Sequence, residues 1–272
     1  MPAGWYEDTD PEALKVFIQL HRQMTPGQRV ARIFELTAFQ ESLQRASVRS
    51  MYPHAGEREV FLRVAARRLD RDTMLRVYGG FASVTALAQA FQELLAALDR
   101  TETAFLVGGS VASGAHGLAR QTNGIDIVVD LILDRIPALC EALGSAFYAD
   151  AEMVSRAVTA GRPFNLIHLA SAYKFDLFPI GSDAFGRSEL ARRRFTAGSI
   201  AGLEDIEFAI ASPEDIILAE LVWFRKGGGV SDRQWHDILG VIKVQAERLD
   251  RAYLNKWAEH LGISDLLSEV LP

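Results

Sequence analysis

The apolar positions along the chain follow two different rhythms, and the point where one gives way to the other organises everything else. Up to residue 80 the apolar side chains recur every three or four residues, the spacing of a helix face. Asp10-Pro11 is an N-cap with proline at the first helical position, and Leu14, Phe17 and Ile18 follow it. Thr25-Pro26 repeats that start, with Val30, Ile33, Phe34, Thr37 and Ala38 as the stripe of a second helix. Tyr52-Pro53 breaks the pattern, and Val60, Phe61, Val64, Ala65 and Leu69 mark a third. Gly79-Gly80 is the first boundary. Beyond it Ala82 to Asp99 predicts another helix through Val84, Leu87, Phe91, Leu94 and Leu98.

From Phe105 the rhythm shortens. An apolar run at Phe105 to Gly108 predicts a buried strand. Gly108, Gly109 and Ser110 form a turn, and the small residues from Val111 to Leu118 predict a helix able to pack close to a sheet. Arg120, Thr122 and Asn123 lead into a second strand, Ile125 to Asp130, with Asp126 near its start. A helix over Ile136 to Leu143 ends at Gly144, and strands follow at Asn165 to Leu169 and Tyr173 to Phe178. In the latter, Lys174 and Asp176 fall on one face and Tyr173, Phe175 and Leu177 on the other. Ile206 to Ile210 alternates as a last strand. Ser212-Pro213-Glu214-Asp215 then starts a helix closed by Gly227 to Gly229, and further helices begin near Ser231-Asp232 and Asp250, with a short one at the end. The pattern predicts an α+β fold: a small mixed sheet packed with helices, a helical region over 1–80, the core over 81–210 and a second helical region over 211–272.

Composition narrows the partners. The chain has 272 residues, a formal charge of −6, 49% hydrophobic and 24% charged residues. That balance is ordinary for a globular protein and argues against a chain that coats nucleic acid, while leaving one RNA end in a small basic cleft open. The single cysteine, Cys140, has no intramolecular disulfide partner and no local histidine to activate it, so it reads as structural. With no signal peptide and no long apolar run, the expectation is a cytoplasmic chain without a membrane partner. Arg63, Arg67, Arg68 and Arg71 read as the solvated face of a helix, with an RNA-facing patch as the alternative. Arg187, Arg192, Arg193 and Arg194 are the most basic stretch, a weak pointer to a triphosphate or nucleic-acid end. No Gly-Lys-Ser/Thr occurs, which excludes a P-loop, and Gly109, Ser110 and Gly114 do not give dinucleotide-binding spacing.

A strand, a Gly-Gly-Ser turn at a helix N-terminus and a second strand opening on an acid form a candidate phosphate and metal site. The turn offers backbone N–H groups and a hydroxyl at the positive end of the helix dipole, and the acid can hold the cation that travels with a triphosphate. This layout resembles the nucleotidyltransferase superfamily, the polymerase-beta-like fold, and within it the AbiEii-type toxin nucleotidyltransferases. Gly109-Ser110, Arg120-x-Thr122, Asp126 and Asp176 match that pattern; Gly124 stands where the family carries the first acid of its Asp-x-Asp pair. Arg233-x-x-x-Asp237 resembles the helical pair that supports the family's site, and at four residues apart the two can pair with each other. The family lysine aligns with Glu220. The resemblance covers roughly residues 81–245.

What the resemblance implies is Mg²⁺- or Mn²⁺-dependent transfer of NMP from an NTP to an RNA, protein or small-molecule acceptor. Asp126 and Asp176 would be catalytic and metal-binding; Gly108, Gly109, Ser110, Arg120, Thr122, Arg233 and Asp237 would bind the nucleotide. Asp130 lies about 13 Å along the strand from Asp126 and cannot replace the acid lost at Gly124. The alternative is a catalytically degenerate relative that binds a nucleotide or a partner, in a toxin–antitoxin-like setting. An antitoxin-like protein and a second copy of the chain, docked through the N-terminal helices, are the implied partners.

Overall fold

In the computed structural model, residues 10–69, 73–74, 87–122, 124–200 and 203–271 are described. The expected boundary at Gly79-Gly80, the start of the helix expected from Ala82, Arg71 and Asn123 lie outside them.

Three helices open the described chain: α1 (Pro11–Gln23), α2 (Pro26–Met51) and α3 (Glu57–Ala65). The first two start where the caps predict, while α3 starts after Gly56 without a side-chain cap. The Asp10 carboxylate accepts from the N–H groups of Glu12 and Ala13, and Thr25 and Gln28 form a reciprocal capping box at α2. Helix α4 (Leu87–Arg100) leads into β1 (Phe105–Val107), α5 (Gly109–His116) and β2 (Gly124–Val129). Then come α6 (Ile136–Leu143), β3 (Phe147–Tyr148), α7 (Ala151–Thr159), β4 (Phe164–His168), β5 (Tyr173–Pro179), α8 (Ala184–Arg192), β6 (Arg194–Ile200) and β7 (Leu203–Ile210). Helices α9 (Pro213–Lys226), α10 (Asp232–Gln245), α11 (Arg251–Leu261) and α12 (Ser264–Val270) complete the chain.

The strands form one mixed sheet in the order β3-β4-β5-β2-β1-β7-β6. β2 runs antiparallel to β1 and parallel to β5, so the strand after the Gly-Gly-Ser turn is central. Its odd-numbered residues, Ile125, Ile127 and Val129, join Tyr173, Phe175 and Leu177 of β5 in a core with α2, α4 and α6. Leu106 of β1 and Ala209 of β7 reach the opposite core, which is built from α9 to α12. The fold is α+β with helices on both faces of the sheet. Elements β3, α7, α8 and β6 are additions to the sequence-based expectation; Asp150 and Asp183 cap the two helices by accepting from Met153 and from Phe185 and Gly186.

Helix α5 explains the run of small residues. It sits between the layers, with Val111 and Ala115 in one core and Ala112 in the other. A Cβ at Gly114 would stand 2.6 Å from Ile33 Cδ1 of α2. The buried Arg29 guanidinium ties α2 to this helix, donating to the carbonyl of Ala115 at 2.5 Å and to that of Met24 at 2.7 Å. His116 at its C-terminal end is buried neutral, with Nε2 2.7 Å from the carbonyl oxygen of Ala211; burial lowers its pKa to about 4. Among the described residues no helix is long and apolar enough to cross a membrane.

The basic stretch at 187–194 turns away from phosphate chemistry. The Arg192 guanidinium lies 3.0 Å from Glu214 and 3.4 Å from Asp215 at the start of α9, and 3.8 Å above the Tyr253 ring. It supplies the positive charge for two buried acids whose other partners, Ser212 and Tyr253 on Asp215 and the Asp250 N–H on Glu214, are neutral. Cys140 is half-buried, and burial raises its thiol pKa.

Candidate functional site

Parallel pairing of β2 with β5 sets Asp126 directly opposite Asp176. The same register sets Gly124 opposite Lys174, and the antiparallel β4 strand brings Asn165 opposite Asp176. All are on the face away from the Ile125–Phe175 core. Two carboxylates in register on adjacent strands repel each other. Asp126 is therefore pushed up to about 6, first by burial and then by Asp176, against the pull of the Lys174 ammonium, the Ser110 N–H and the Arg120 guanidinium. Asp176 takes Lys174 Nζ at 3.0 Å and accepts a hydrogen bond from the Asn165 amide.

Helix α5 begins at this pair. Gly109 has φ +49°, a conformation that glycine reaches without strain, and there is no room for any other residue. A Cβ built there would overlap the Asp126 carboxylate, 2.5 Å from its Cγ and 2.8 Å from its Cβ. The turn thus delivers the Ser110 N–H to Asp126. The Ser110 hydroxyl is 2.9 Å from Thr122 Oγ1, which itself donates to the Gly124 carbonyl at 2.5 Å. The Thr122 N–H in turn donates to Thr37 Oγ1 of α2 at 3.0 Å.

Arg120 and Asp237 meet across the sequence. The guanidinium donates through Nε at 2.8 Å and Nη2 at 2.5 Å to the two Asp237 oxygens, a bidentate pair. This corrects the expected Arg233–Asp237 pairing. A pair within one helix contributes only about 0.2–0.5 kcal/mol, and the forked, shielded contact from Arg120 outcompetes it. Arg233 is left on the exposed side, lining the cleft. Glu220 of α9 is buried and accepts from Gln234 Nε2 at 3.2 Å; burial first, then Asp237 and Asp126, push it up to about 8.

These residues line a cleft of about 340 Å³: Ser110, Arg120, Thr122, Gly124, Asp126, Lys174, Asp176, Glu220, Arg233, Gln234 and Asp237, with Arg68 from the N-terminal region. Gly108 and Gly109 open instead onto an adjoining cleft of about 790 Å³ that shares Asp126, Glu220 and Gln234. All the residues expected from the sequence to form the site therefore cluster around Asp126. Lys174, Gln234 and Arg68 are residues that sequence reasoning missed as site members. Lys174 was legible as the same-face neighbour of Asp176. Arg68 was not, because its place depends on a long-range contact: its guanidinium lies 3.2 Å from Glu41 and 4.3 Å above the Tyr173 ring.

The donor set offers two facing carboxylates for a cation, Asp126 and Asp176, and the Lys174 ammonium already lies 3.0 Å from the latter. It does not have the ligands for two. Position 124 is glycine, and a Cβ there would stand 2.9 Å from the Lys174 carbonyl oxygen and 4.0 Å from Asp176 Oδ2. Among the described residues no group of three His, Cys, Asp or Glu side chains is placed to hold a metal ion.

Residues 22–86 match the family described as Rv0078B-related antitoxin. Solved structures similar to this chain include that of the antibiotic-resistance factor ANT(2'')-Ia, at 16% identity, covering 66% of this chain and 96% of that one with a TM-score of 0.41. Another is an antigenic nucleotidyltransferase-like protein from Paracoccidioides brasiliensis, at 18% identity, 66% and 91% coverage and a TM-score of 0.39. No curated protein matches the sequence.

Proposed function

We propose that the chain is a nucleotidyltransferase-like protein that binds a nucleoside triphosphate in the cleft at Asp126 and Asp176 and transfers NMP to an RNA, protein or small-molecule acceptor. The observation that carries this reading is the register of Asp126 against Asp176 beside the Gly109–Ser110 turn, with Arg68, Lys174 and Arg233 facing the same space. Asp126 and Asp176 would hold one Mg²⁺ or Mn²⁺ arriving with the nucleotide, which when bound supplies positive charge against the reacting phosphate. Lys174 and Arg233 bind phosphate oxygens, the Ser110 and Thr122 hydroxyls orient them, and Arg120 is held in place by Asp237.

A second reading has its own observation. Gly124 stands in place of the first acid of the family's pair, a Cβ there would meet the Lys174 carbonyl oxygen at 2.9 Å, and the Lys174 ammonium already sits on Asp176. That supports a catalytically degenerate member kept to bind a nucleotide or a partner. The antitoxin-related match falls on helices that reach the site in the same chain, through Thr37 on Thr122 and through Arg68. On this reading that segment is an antitoxin-like element built onto the core.

Calorimetric NTP titration with and without Mg²⁺, on the native chain, Asp126→Ala and Gly124→Asp, separates the readings when radiolabelled transfer to bulk RNA is run alongside. Binding that needs Asp126, with transfer by the native chain, supports the enzyme. Binding without transfer, and transfer only by Gly124→Asp, supports the degenerate member. Absence of nucleotide binding by both the native chain and Gly124→Asp refutes the nucleotide site and leaves a structural or partner-binding role.

A further inference from the structure

The 790 Å³ cleft beside the nucleotide site has a charge pattern that the proposed reaction does not use. Its lining carries Asp126, Asp183, Glu189 and Glu220, against a single basic side chain, Lys226. Glu189, on α8, is 4% exposed. It makes no hydrogen bond or ion pair among the described residues, although buried polar groups are nearly always paired. It is not sealed in the core either, since its side chain lines the cleft. Burial first, then Asp215 and Asp183, push its carboxyl up to about 8. Asp215 is already engaged by Ser212, Tyr253 and Arg192, and the Asp183 carboxylate by the N-terminus of α8, so neither offers Glu189 a donor. A carboxyl kept in an open cleft without a donor is a place prepared for a donor from outside.

The walls say what kind of molecule brings that donor. Phe178 and Trp223 stand edge to face at 5.5 Å along the cleft, and the Lys226 ammonium already rests 4.7 Å from the Trp223 ring at the rim. Aromatic faces beside carboxyls suit a cationic head on an apolar stem. They repel a polyanion.

We propose that this cleft binds an organic amine, whose ammonium group donates to Glu189 and whose carbon chain lies along Phe178 and Trp223 towards Asp126. Because the cleft meets the nucleotide cleft at Asp126 and Glu220, the bound amine stands on the acceptor side of the proposed transfer; that part alone rests on the nucleotidyltransferase reading. It narrows the acceptor from RNA, protein or small molecule to an amine-bearing one and disfavours an RNA strand in this cleft.

The test is calorimetric titration of the full chain with 1,4-diaminobutane and with spermidine, without nucleotide, in buffers of different ionisation enthalpy. The native chain is expected to bind at least one of them at pH 7 and to release close to one proton as Glu189 ionises. At pH 9 that proton release disappears. Glu189→Gln, nearly the same shape, is expected to weaken binding at least tenfold and abolish the proton release, while Glu189→Asp retains part of both. A melting curve for each variant checks folding, and NTP titration of the same samples is expected to be unchanged. Absence of amine binding, or binding equal in native and Glu189→Gln, overturns the proposal. So does Mg²⁺ alone binding with the same dependence on Glu189, which would assign the cleft to a metal. Amine binding without any NTP binding supports the amine site and removes the nucleotide reading.

Discussion

The tightest contact of the site predicts a measurable coupling between Gly109 and Asp126. Replacing Gly109 by alanine imposes two separate costs. The first is conformational: φ +49° costs a residue with a Cβ about 1–2 kcal/mol. The second is steric, because the new methyl overlaps the Asp126 carboxylate and lies 2.8 Å from its Cβ, so the side chain must move off the Ser110 N–H. A hydrogen bond to a charged group is worth about 1.5–3 kcal/mol. Together these put Gly109→Ala at about 3–4 kcal/mol, or roughly 6–12 °C in melting temperature for a chain of this size. Asp126→Gly removes all three overlapping atoms but leaves the backbone angle. The double variant should therefore recover the steric part alone, a coupling of about 2 kcal/mol in a double-mutant cycle read by urea unfolding at pH 7.5. A cost for Gly109→Ala under about 1 kcal/mol, or additivity within about 0.5 kcal/mol, would refute the contact and with it the positioning of Asp126 by the turn.

The bidentate pair and the buried acids give two further predictions. Asp237→Asn leaves the shielded Arg120 guanidinium uncompensated and should cost about 2–3 kcal/mol in urea unfolding, the buried-pair figure reduced for partial exposure. Arg233→Ala, which breaks no pair with Asp237, should stay within about 0.5 kcal/mol; equal costs would contradict the pairing. The folded-state pKa of Glu189, about 8, lies above its ordinary 4.5, so the folded chain holds a proton that the unfolded chain loses. Stability is then greatest below pH 4.5 and falls as pH rises towards 8, by up to about 1.4 kcal/mol per pH unit. Glu220, also raised to about 8, adds a slope of the same sign. Glu189→Gln should flatten the profile and melt higher than the native chain at pH 8; an unchanged slope would show that Glu189 is ionised in the fold.

What the sequence disclosed was local. Thr25-Pro26, Ser212-Pro213 and the Gly-Gly-Ser turn carry their signals within a few residues, because capping and turn chemistry act over that distance. The alternation in Tyr173 to Phe178 is enough by itself to put Asp176 on a polar face. Pairing was not legible. Nothing local says that β2 lies beside β5 in the register that opposes Asp126 to Asp176, or that Asp237 takes Arg120 across 117 residues of chain in preference to Arg233 across four. The arginines near 187–194 misled for the same reason: a charge run records how many charges there are, and only Glu214 and Asp215 coming from α9 reveal what Arg192 neutralises.

The charges around Asp126 separate into two halves. On one side Arg68, Arg120, Lys174 and Arg233 face the smaller cleft, with Asp237 and Asp176 paired to Arg120 and Lys174; on the other Glu189 and Asp183 face the larger one, with Lys226 at its rim, and Asp126 and Glu220 are shared between them. Such a division is costly to hold in a fold, since Glu189 and Glu220 are both buried with their charged forms disfavoured. A chain selected for stability alone would carry glutamine or leucine at 189, where no donor exists for a carboxylate. Retaining an acid there makes physical sense if a cation enters from the larger cleft while an anion enters from the smaller, each neutralising the half it meets. On that view Gly124 and Lys174 follow from the same division. With no acid at position 124 and an ammonium group on Asp176, the smaller cleft would hold fewer negative charges to repel a triphosphate. Asp126 and Glu220, which line both clefts, stand where the two ligands would meet.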